Sequence, residues 1–327
     1  MRKLIRKATG LTVGVATLLA GLVLPMTASA ESASPIDASP IIHYSFDNAL
    51  TSKTIANEGS AANSDATLSG DATVANGQIN LTGSQTISVP TTAIAGKKDV
   101  TVSIWLKNNY GNGNTAAAYI GAAKTGNYPA NGYWLLNPAN PSGYAKSVMT
   151  NATAADPNNS PWGTEVGPGS TNAATIGTKA TSDLALYTTV ISGTNSTMSF
   201  YLNGKQVGDA TYTIPAGGLT NYGDLVAYIG KSSYADPNSK LDVADYAVYD
   251  TAISAADVTK LYDAQVLDKA EAAVKAAVPA SATEDFALPT SAAGVSIAWK
   301  SGNAAIAVDN ATGKATVTRP AATAADA

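Results

Sequence analysis

The sequence predicts an all-β protein, a sandwich or barrel of short strands. Three observations carry this. From residue 41 onward, short runs of β-branched and aromatic residues alternate with clusters of Asn, Gly, Ser and Asp. No stretch shows sustained helical periodicity before Ser254. Asn203-Gly204 lies between two such runs and is the strongest short signal for a two-residue hairpin turn.

The chain opens on a segment that reads as a leader rather than as part of the fold. Arg2, Lys3, Arg6 and Lys7 form a basic start, 11–24 is apolar apart from Thr and Gly, and Ala28-Ser29-Ala30 is an A-x-A cleavage site. The apolar run is too short for a comfortable membrane span. Cleavage after Ala30 removes four positive charges and no negative ones, taking the formal net charge from −4 to −8. Such an acidic chain does not suit nucleic acid or anionic lipid. With no cysteine, an exported fold must be held by its core, by bound ions, or by both. These features predict a secreted or cell-surface protein of a Gram-positive bacterium, although neither a second apolar span nor an LPxTG-like sorting signal follows.

A Ser/Pro linker is predicted over 31–40. Strands are predicted at 41–46, 72–74, 78–81, 85–89, 100–107, 117–122, 133–137, 186–192, 198–202, 205–211, 225–229 and 243–249. The stretch 108–178 is rich in Asn, Gly, Pro, Ala and Thr, and reads as long loops around one or two strands. In 243–249 side chains alternate with period two, and then the period changes. Ser254 and Asp257 form a variant of the capping box, and Ile253 before the cap can staple onto Val258. A short helix reaching Tyr262 follows. A second helix is predicted over 263–278, with Val266, Leu267, Ala270, Val274 and Val278 at helical spacing and Pro279 ending it. Beyond it come strands at 295–299 and 306–308, a turn at 309–314 and a returning strand at 315–318. Three or four strands do not close a sandwich, so this part reads as a domain cut short.

Several stretches, in order, carry a resemblance. Ile42-His-Tyr-Ser-Phe-Asp47, Thr101-Val-Ser-Ile-Trp-Leu-Lys107, Phe200-Tyr-Leu-Asn-Gly-Lys205, Tyr228-Ile-Gly-Lys-Ser-Ser233 and Val243-Ala-Asp-Tyr-Ala-Val-Tyr-Asp-Thr-Ala-Ile-Ser254 resemble successive strands of bacterial laminin-G-like, concanavalin A-like jelly-roll domains. The closing strand and its short helix are the most distinctive of these. The sequence departs from the family at Ala244 and Ala247, where an acidic residue and an Arg are usual. Further on, Phe286-Ala-Leu-Pro289, Ile297-Ala-Trp-Lys-Ser301 and Gly313-Lys-Ala-Thr-Val-Thr-Arg-Pro320 resemble an atrophied bacterial immunoglobulin-like domain that lacks its last strands. The two resemblances imply a concanavalin A-like jelly roll over 41–262, a helical connector over 263–279 and an incomplete Ig-like sandwich over 280–327. They also imply the setting of bifidobacterial-type exported glycoside hydrolases, family 43 arabinofuranosidases above all.

Glucanase relatives of this fold carry Glu-x-Asp-x-x-Glu on one strand, a pair of carboxylates set across the scissile bond. Here the five glutamates, Glu31, Glu58, Glu165, Glu271 and Glu284, form no such pair. His43, the single histidine, reads either as a satisfied strand residue or as a base or metal ligand. No phosphate loop or Gly-x-Ser-x-Gly elbow is present. Catalysis within these residues is therefore not expected. Sugar binding is better supplied, since sugars stack their CH faces on aromatic rings and pair their hydroxyls with amides and carboxylates. Tyr110, Tyr128, Trp134, Tyr144, Trp162 and Tyr234 are the candidates, in or beside polar loops. Trp162 and Trp134 each have a packing reading beside the stacking one, whereas Trp105 and Trp299 read as core. Laminin-G-like relatives often hold calcium at the sandwich rim, which implies Asp47 and Asp245 as oxygen ligands. The sequence thus predicts a monomeric, exported, non-catalytic module that binds a glycan, arabinose-containing polysaccharide foremost, for a glycoside hydrolase whose catalytic part lies elsewhere. A surface adhesion or structural module with a protein partner, and a glycosidase in its own right, are the alternatives.

Overall fold

The computed structural model describes residues 12–17, 36–126, 128–150, 161–170, 178–208, 211–279 and 281–318. The chain divides into two compact units, Ser34–Ala264 and, separately, Gln265–Ala327 with Met1–Ala33. Within the predicted leader, Thr12–Thr17 (β1) is extended.

The larger unit is a two-sheet sandwich of antiparallel strands. In chain order these are Ile42–Ser45 (β2), Thr54–Ile55 (β3), Ala66–Ser69 (β4), Thr73–Ala75 (β5), Gln78–Leu81 (β6), Thr86–Val89 (β7), Asp99–Asn108 (β8), Ala118–Ala122 (β9), Lys124–Thr125 (β10), Tyr128–Pro129 (β11), Tyr133–Asn137 (β12), Lys146–Thr150 (β13), Glu165–Val166 (β14), Ala185–Ser192 (β15), Thr197–Leu202 (β16), Lys205–Gln206 (β17), Tyr212–Thr213 (β18), Leu225–Ile229 (β19) and Leu241–Tyr249 (β20). One sheet has eight strands in the order β14-β13-β12-β9-β19-β7-β4-β3. The other has nine, with β17-β16-β15-β8-β20-β6-β5 as its path, β2 paired to β20 and β18 to β16. The opening strand thus lies beside the closing one, Tyr44 opposite Tyr246.

Alternation explains which residues meet between the sheets. Val100, Val102, Ile104 and Leu106 of β8, Tyr246 and Val248 of β20, Ile120 of β9, and Trp134 and Leu136 of β12 share one core. Fully burying side chains of this size contributes about 1.5–3 kcal/mol each. The turn at Asn203 and Gly204 has φ of 51° and 73°, the left-handed pair that a tight hairpin between β16 and β17 requires. The predicted strand over 205–211 is interrupted: Gly208 turns left-handed (φ 79°), and β17 and β18 pair separately with β16.

The other face of the nine-stranded sheet explains the closing motif. Val190, Tyr201, Ala247 and Tyr249 pack there with Ile253, Val258 and Leu261, and Trp105 stacks on Tyr262 with ring centroids 5.8 Å apart. The strand ends and the helix starts at once because the helix covers the strand it follows. Its start is capped as the sequence predicts. Ser254 Oγ accepts the Asp257 N–H at 3.1 Å and donates to the Asp257 carboxylate at 2.8 Å. The two predicted helices are one, Ala255–Ala277 (α1). No Gly or Pro interrupts it, and Val258, Leu261 and Val266 keep a buried stripe across the expected break.

In the smaller unit, Phe286–Ala287 (β21), Lys314–Val317 (β25) and Ile306–Asp309 (β24) form a three-stranded sheet in that order. Ser291–Ala292 (β22) pairs with Val295–Lys300 (β23), which also lies parallel to β1. Trp299 is buried and donates its indole N–H to the Pro289 carbonyl at 2.7 Å, the core position expected for it.

Candidate functional site

The outer face of the eight-stranded sheet is aromatic. Alternation turns Tyr119 of β9, Tyr133 and Leu135 of β12 and Val148 of β13 away from the core, and they form a second cluster with Val226, Tyr228 and Tyr234. Tyr119 stacks on Tyr133 (5.6 Å) and on Tyr228 (6.2 Å), and Tyr234 meets Tyr133 edge-on at 5.5 Å. Lys231 Nζ lies 4.1 Å from the Tyr228 ring centroid, a cation–π contact. Tyr119 and Tyr133 are fully buried, while Tyr228 and Tyr234 are half-buried. Glycine makes this packing possible at Gly121, where any Cβ would run into the backbone of Tyr133.

At one end of this face a single turn of 3-10 helix, Pro161–Thr164, runs straight into β14. It carries Trp162, which is 49% exposed, one of two large hydrophobic side chains so exposed among the described residues. The Trp162 backbone amide faces the Tyr234 phenol oxygen. The Tyr234 hydroxyl donates to Tyr133 at 2.9 Å, and Tyr133 donates to Glu165 Oε1 at 2.7 Å. Lys146 Nζ lies 2.6 Å from the other oxygen of Glu165. Burial, and after it the Glu165 charge, pushes the Tyr133 phenol well above its ordinary value. Burial likewise raises Tyr234, so both phenols keep their protons and act as donors. Burial also raises the Asp236 carboxyl, with the Lys146 ammonium pulling the other way.

The predicted site residues separate accordingly. Trp162 and Tyr234 come together. Trp134 is fully buried in the core, its indole N–H donated to Ser147 at 3.1 Å. It presents no face to a ligand, because its place in β12 points it between the sheets, so of its two readings the packing one holds. Tyr110 sits on its own turn, its N–H donated to Asn108 Oδ1 at 3.0 Å and its ring against Gly113. Tyr144 lies on another turn with Lys179 Nζ 5.6 Å from its ring centroid. Tyr128 belongs to β11, but its side chain lies outside the described residues. Tyr133 is one more ring of the aromatic-bearing 108–178 stretch, while Glu165, Lys146 and Tyr119 carry no mark of a site in the sequence. Glu165 drew notice only as half of a missing carboxylate pair, and nothing in the spacing of the four reveals that the sheet brings them together.

On the other sheet, His43 Nε2 lies 3.0 Å from Asp245 Oδ2 and Nδ1 lies 3.4 Å from Glu58 Oε2. The histidine ties the opening strand to the closing one, in keeping with its reading as a satisfied strand residue. Asp245 is buried beside it, whereas Asp47 is exposed past the end of β2. Among the described residues no three of His, Cys, Asp and Glu are arranged to hold a metal ion. No described helix is long and apolar enough to cross a membrane.

A family model described as the concanavalin A-like lectin/glucanases superfamily (Laminin_G_3) matches residues 81–259. The chain belongs to that superfamily. The match runs from the last residue of β6 through β20 and into the first turn of α1, so it takes in the aromatic face and most strands of both sheets but not β2 to β5. Among solved structures, the chain is similar to domain 4 of AbnA, a GH43 extracellular arabinanase from Geobacillus stearothermophilus, in complex with arabinotriose; the TM-score is 0.51 at 19% identity, over 69% of this chain and 98% of that domain. It is also similar to the binding domain of botulinum neurotoxin serotype D (TM-score 0.45, 16% identity, 71% of this chain and 52% of that one). A third is Trypanosoma rangeli sialidase (TM-score 0.46, 12% identity, 69% of this chain and 33% of that one). At 19% identity the likeness to the arabinanase domain speaks for the fold. No curated protein matches the sequence.

Proposed function

We propose that this concanavalin A-like domain is a glycan-binding module of an exported protein, with arabinose-containing polysaccharide as its first-choice ligand. The observation that carries the reading is Trp162: a half-exposed indole on a short turn at the edge of an aromatic sheet face. An indole so placed offers a flat apolar surface to the CH face of a sugar, and Asp236, Lys231 and the half-buried Tyr228 and Tyr234 offer partners for its hydroxyls. The arabinotriose complex of the similar arabinanase domain supports the choice of sugar. The proposal includes export through the 1–30 leader and a spacer role for an Ig-like tail over 280–327, with hydrolysis carried by another part of the protein. Both oxygens of Glu165 are engaged, by Tyr133 and by Lys146, which fits a structural carboxylate better than a catalytic one. Calcium at Asp47 and Asp245 belongs to the proposal, with the ion sharing the Asp245 carboxylate with His43, which lies 3.0 Å from its Oδ2.

The test is retention of the full chain on insoluble arabinan, arabinoxylan and mucin, with and without chelator. Retention on an arabinose-containing polymer that Trp162→Ala abolishes is the expected result. Retention that the chelator removes assigns the ion a part. No retention on any of the three overturns the reading in favour of an adhesion or structural module with a protein partner.

A further inference from the structure

The hydrogen bonds beneath Trp162 all point one way. Tyr234 donates to Tyr133 and Tyr133 donates to Glu165, while the Trp162 amide faces the Tyr234 phenol. The chain ends on a carboxylate whose residue is 2% exposed, and whose charge is answered by Lys146 at 2.6 Å. Each phenol has one proton. The carboxylate takes the proton of Tyr133, so Tyr133 has only its oxygen left for Tyr234. Tyr234 then has only its oxygen left for the Trp162 amide. The polarity of the whole chain is fixed from the buried end. Charge-assisted bonds are the strong ones, and a buried hydrogen-bond network polarised from one end favours one geometry.

The residues come from distant parts of the sequence. Tyr133 is on β12, Lys146 on β13, Glu165 on β14, and Tyr234 in the loop between β19 and β20. Glu165 follows Trp162 by three residues and leaves the same turn. Trp162 is thus tied through the chain to Glu165, which Tyr133 and Lys146 hold, and its amide faces Tyr234. The indole itself is half exposed, so its orientation depends on what holds the turn.

We propose that Glu165, acting through Tyr133 and Tyr234, is the positioning residue that fixes the Trp162 turn. The proposal rests on the reading of Trp162 as the ligand-stacking residue, but its test has a readout of its own. Of the four tryptophans, Trp105, Trp134 and Trp299 are buried (0%, 0% and 4% exposed). Fluorescence of the full chain that acrylamide quenches therefore reports Trp162, and Trp162→Phe should remove that component. Releasing the turn takes the indole from 49% exposure toward full exposure, a rise of about twofold in its quenching constant if the network alone restrains it.

The experiment measures quenching and glycan retention in Glu165→Gln, Tyr234→Phe and the control Tyr44→Phe, a buried hydroxyl of the core. Glu165→Gln keeps an acceptor oxygen but removes the charge that Lys146 answers. If it does not fold, Tyr234→Phe carries the test, since it leaves Glu165, Lys146 and Tyr133 in place and removes the hydroxyl that stands between Tyr133 and the Trp162 amide. The expected result is increased quenching in both network variants, with weaker retention, and no change in the control. Unchanged quenching in Tyr234→Phe overturns the proposal whatever the glycan result. Increased quenching in the network variants, in a protein that wild type shows no glycan retention for, upholds the positioning role and refutes the glycan reading alone. An equal increase in Tyr44→Phe overturns the proposal, because general loosening then explains the effect.

Discussion

Tyr44 and Tyr246 make a paired test of how the core is held. They face each other across β2 and β20, their rings 5.9 Å apart and nearly parallel. Both are fully buried, and burial raises both phenols. Their hydroxyls differ. Tyr44 donates to the Ser64 carbonyl at 2.6 Å, whereas the Tyr246 hydroxyl has no hydrogen-bond partner among the described residues. The same one-atom deletion should therefore act with opposite sign. Tyr44→Phe loses a hydrogen bond and strands a carbonyl, costing about 1–3 kcal/mol. Tyr246→Phe relieves a buried polar group of similar cost while leaving the ring packing, and a gain of about 1 kcal/mol is expected after the small void is counted. For a domain of this size that gain is a rise of about 2–4 °C in Tm. Urea unfolding with an unchanged slope is the assay. A loss of stability in Tyr246→Phe as large as that in Tyr44→Phe refutes the reasoning, since the hydroxyl must then have a partner.

Four further outcomes are expected. Ser254→Ala should cost about 1 kcal/mol by removing the cap of α1, read by urea unfolding. The hydrogen bonds from Lys260 and Ser254 hold the Asp257 carboxyl below its usual range. Its contribution to the helix start is therefore complete above the ordinary carboxylate value and lost as pH falls through the lowered one, as NMR titration of that side chain would follow. Gly132→Ala should cost about 1–3 kcal/mol or more, since its Cβ meets the Tyr222 ring and the Thr150 hydroxyl; wild-type stability in this variant counts against the packing described. Lys97→Met should cost less than about 1 kcal/mol, because the pair with Asp250 at 2.8 Å is solvent-exposed on both sides; a larger loss means that Lys97 does something besides pairing.

Much of the sandwich was legible because its strands alternate and its turns are marked. Ile42–Ser45, Gln78–Leu81, Tyr133–Asn137 and Leu225–Ile229 lie where period and turn residues put them. Lys146–Thr150 was not legible as a strand. Val148 and Met149 are both buried, one in the outer aromatic cluster and one in the core, so the segment shows no apolar–polar alternation, and it lies in a stretch of loop-like composition. The helix was split at Tyr262 because the resembled closing motif ends in a short helix, although no Gly or Pro stands between Ser254 and Pro279. The aromatic site was half legible. Trp162 and Tyr234 stand out as large rings in polar loops. Tyr119, Tyr133, Lys146 and Glu165 do not, because their meaning lies in strand order, and adjacency across β9, β12, β13 and β14 is set by pairing rather than by spacing in the chain.

The burial of those tyrosines also limits what the site can do. Tyr119 and Tyr133 have no surface to give a ligand, so they act as a foundation, and the contact falls on Trp162 with the exposed edges of Tyr228 and Tyr234. A site with one dominant ring stacks weakly. Aromatic stacking adds about 0.5–1.5 kcal/mol beyond the area it buries, so Trp162→Ala should weaken binding of a soluble arabinose oligosaccharide about tenfold, or ~1.4 kcal/mol. Its effect on folding should stay within about 0.5 kcal/mol, as for a surface residue. Isothermal titration calorimetry on the full chain and urea unfolding measure the two separately. A change in affinity of less than about twofold at unchanged stability would move the ligand contact off Trp162. The network that holds its turn would then have to serve the fold alone.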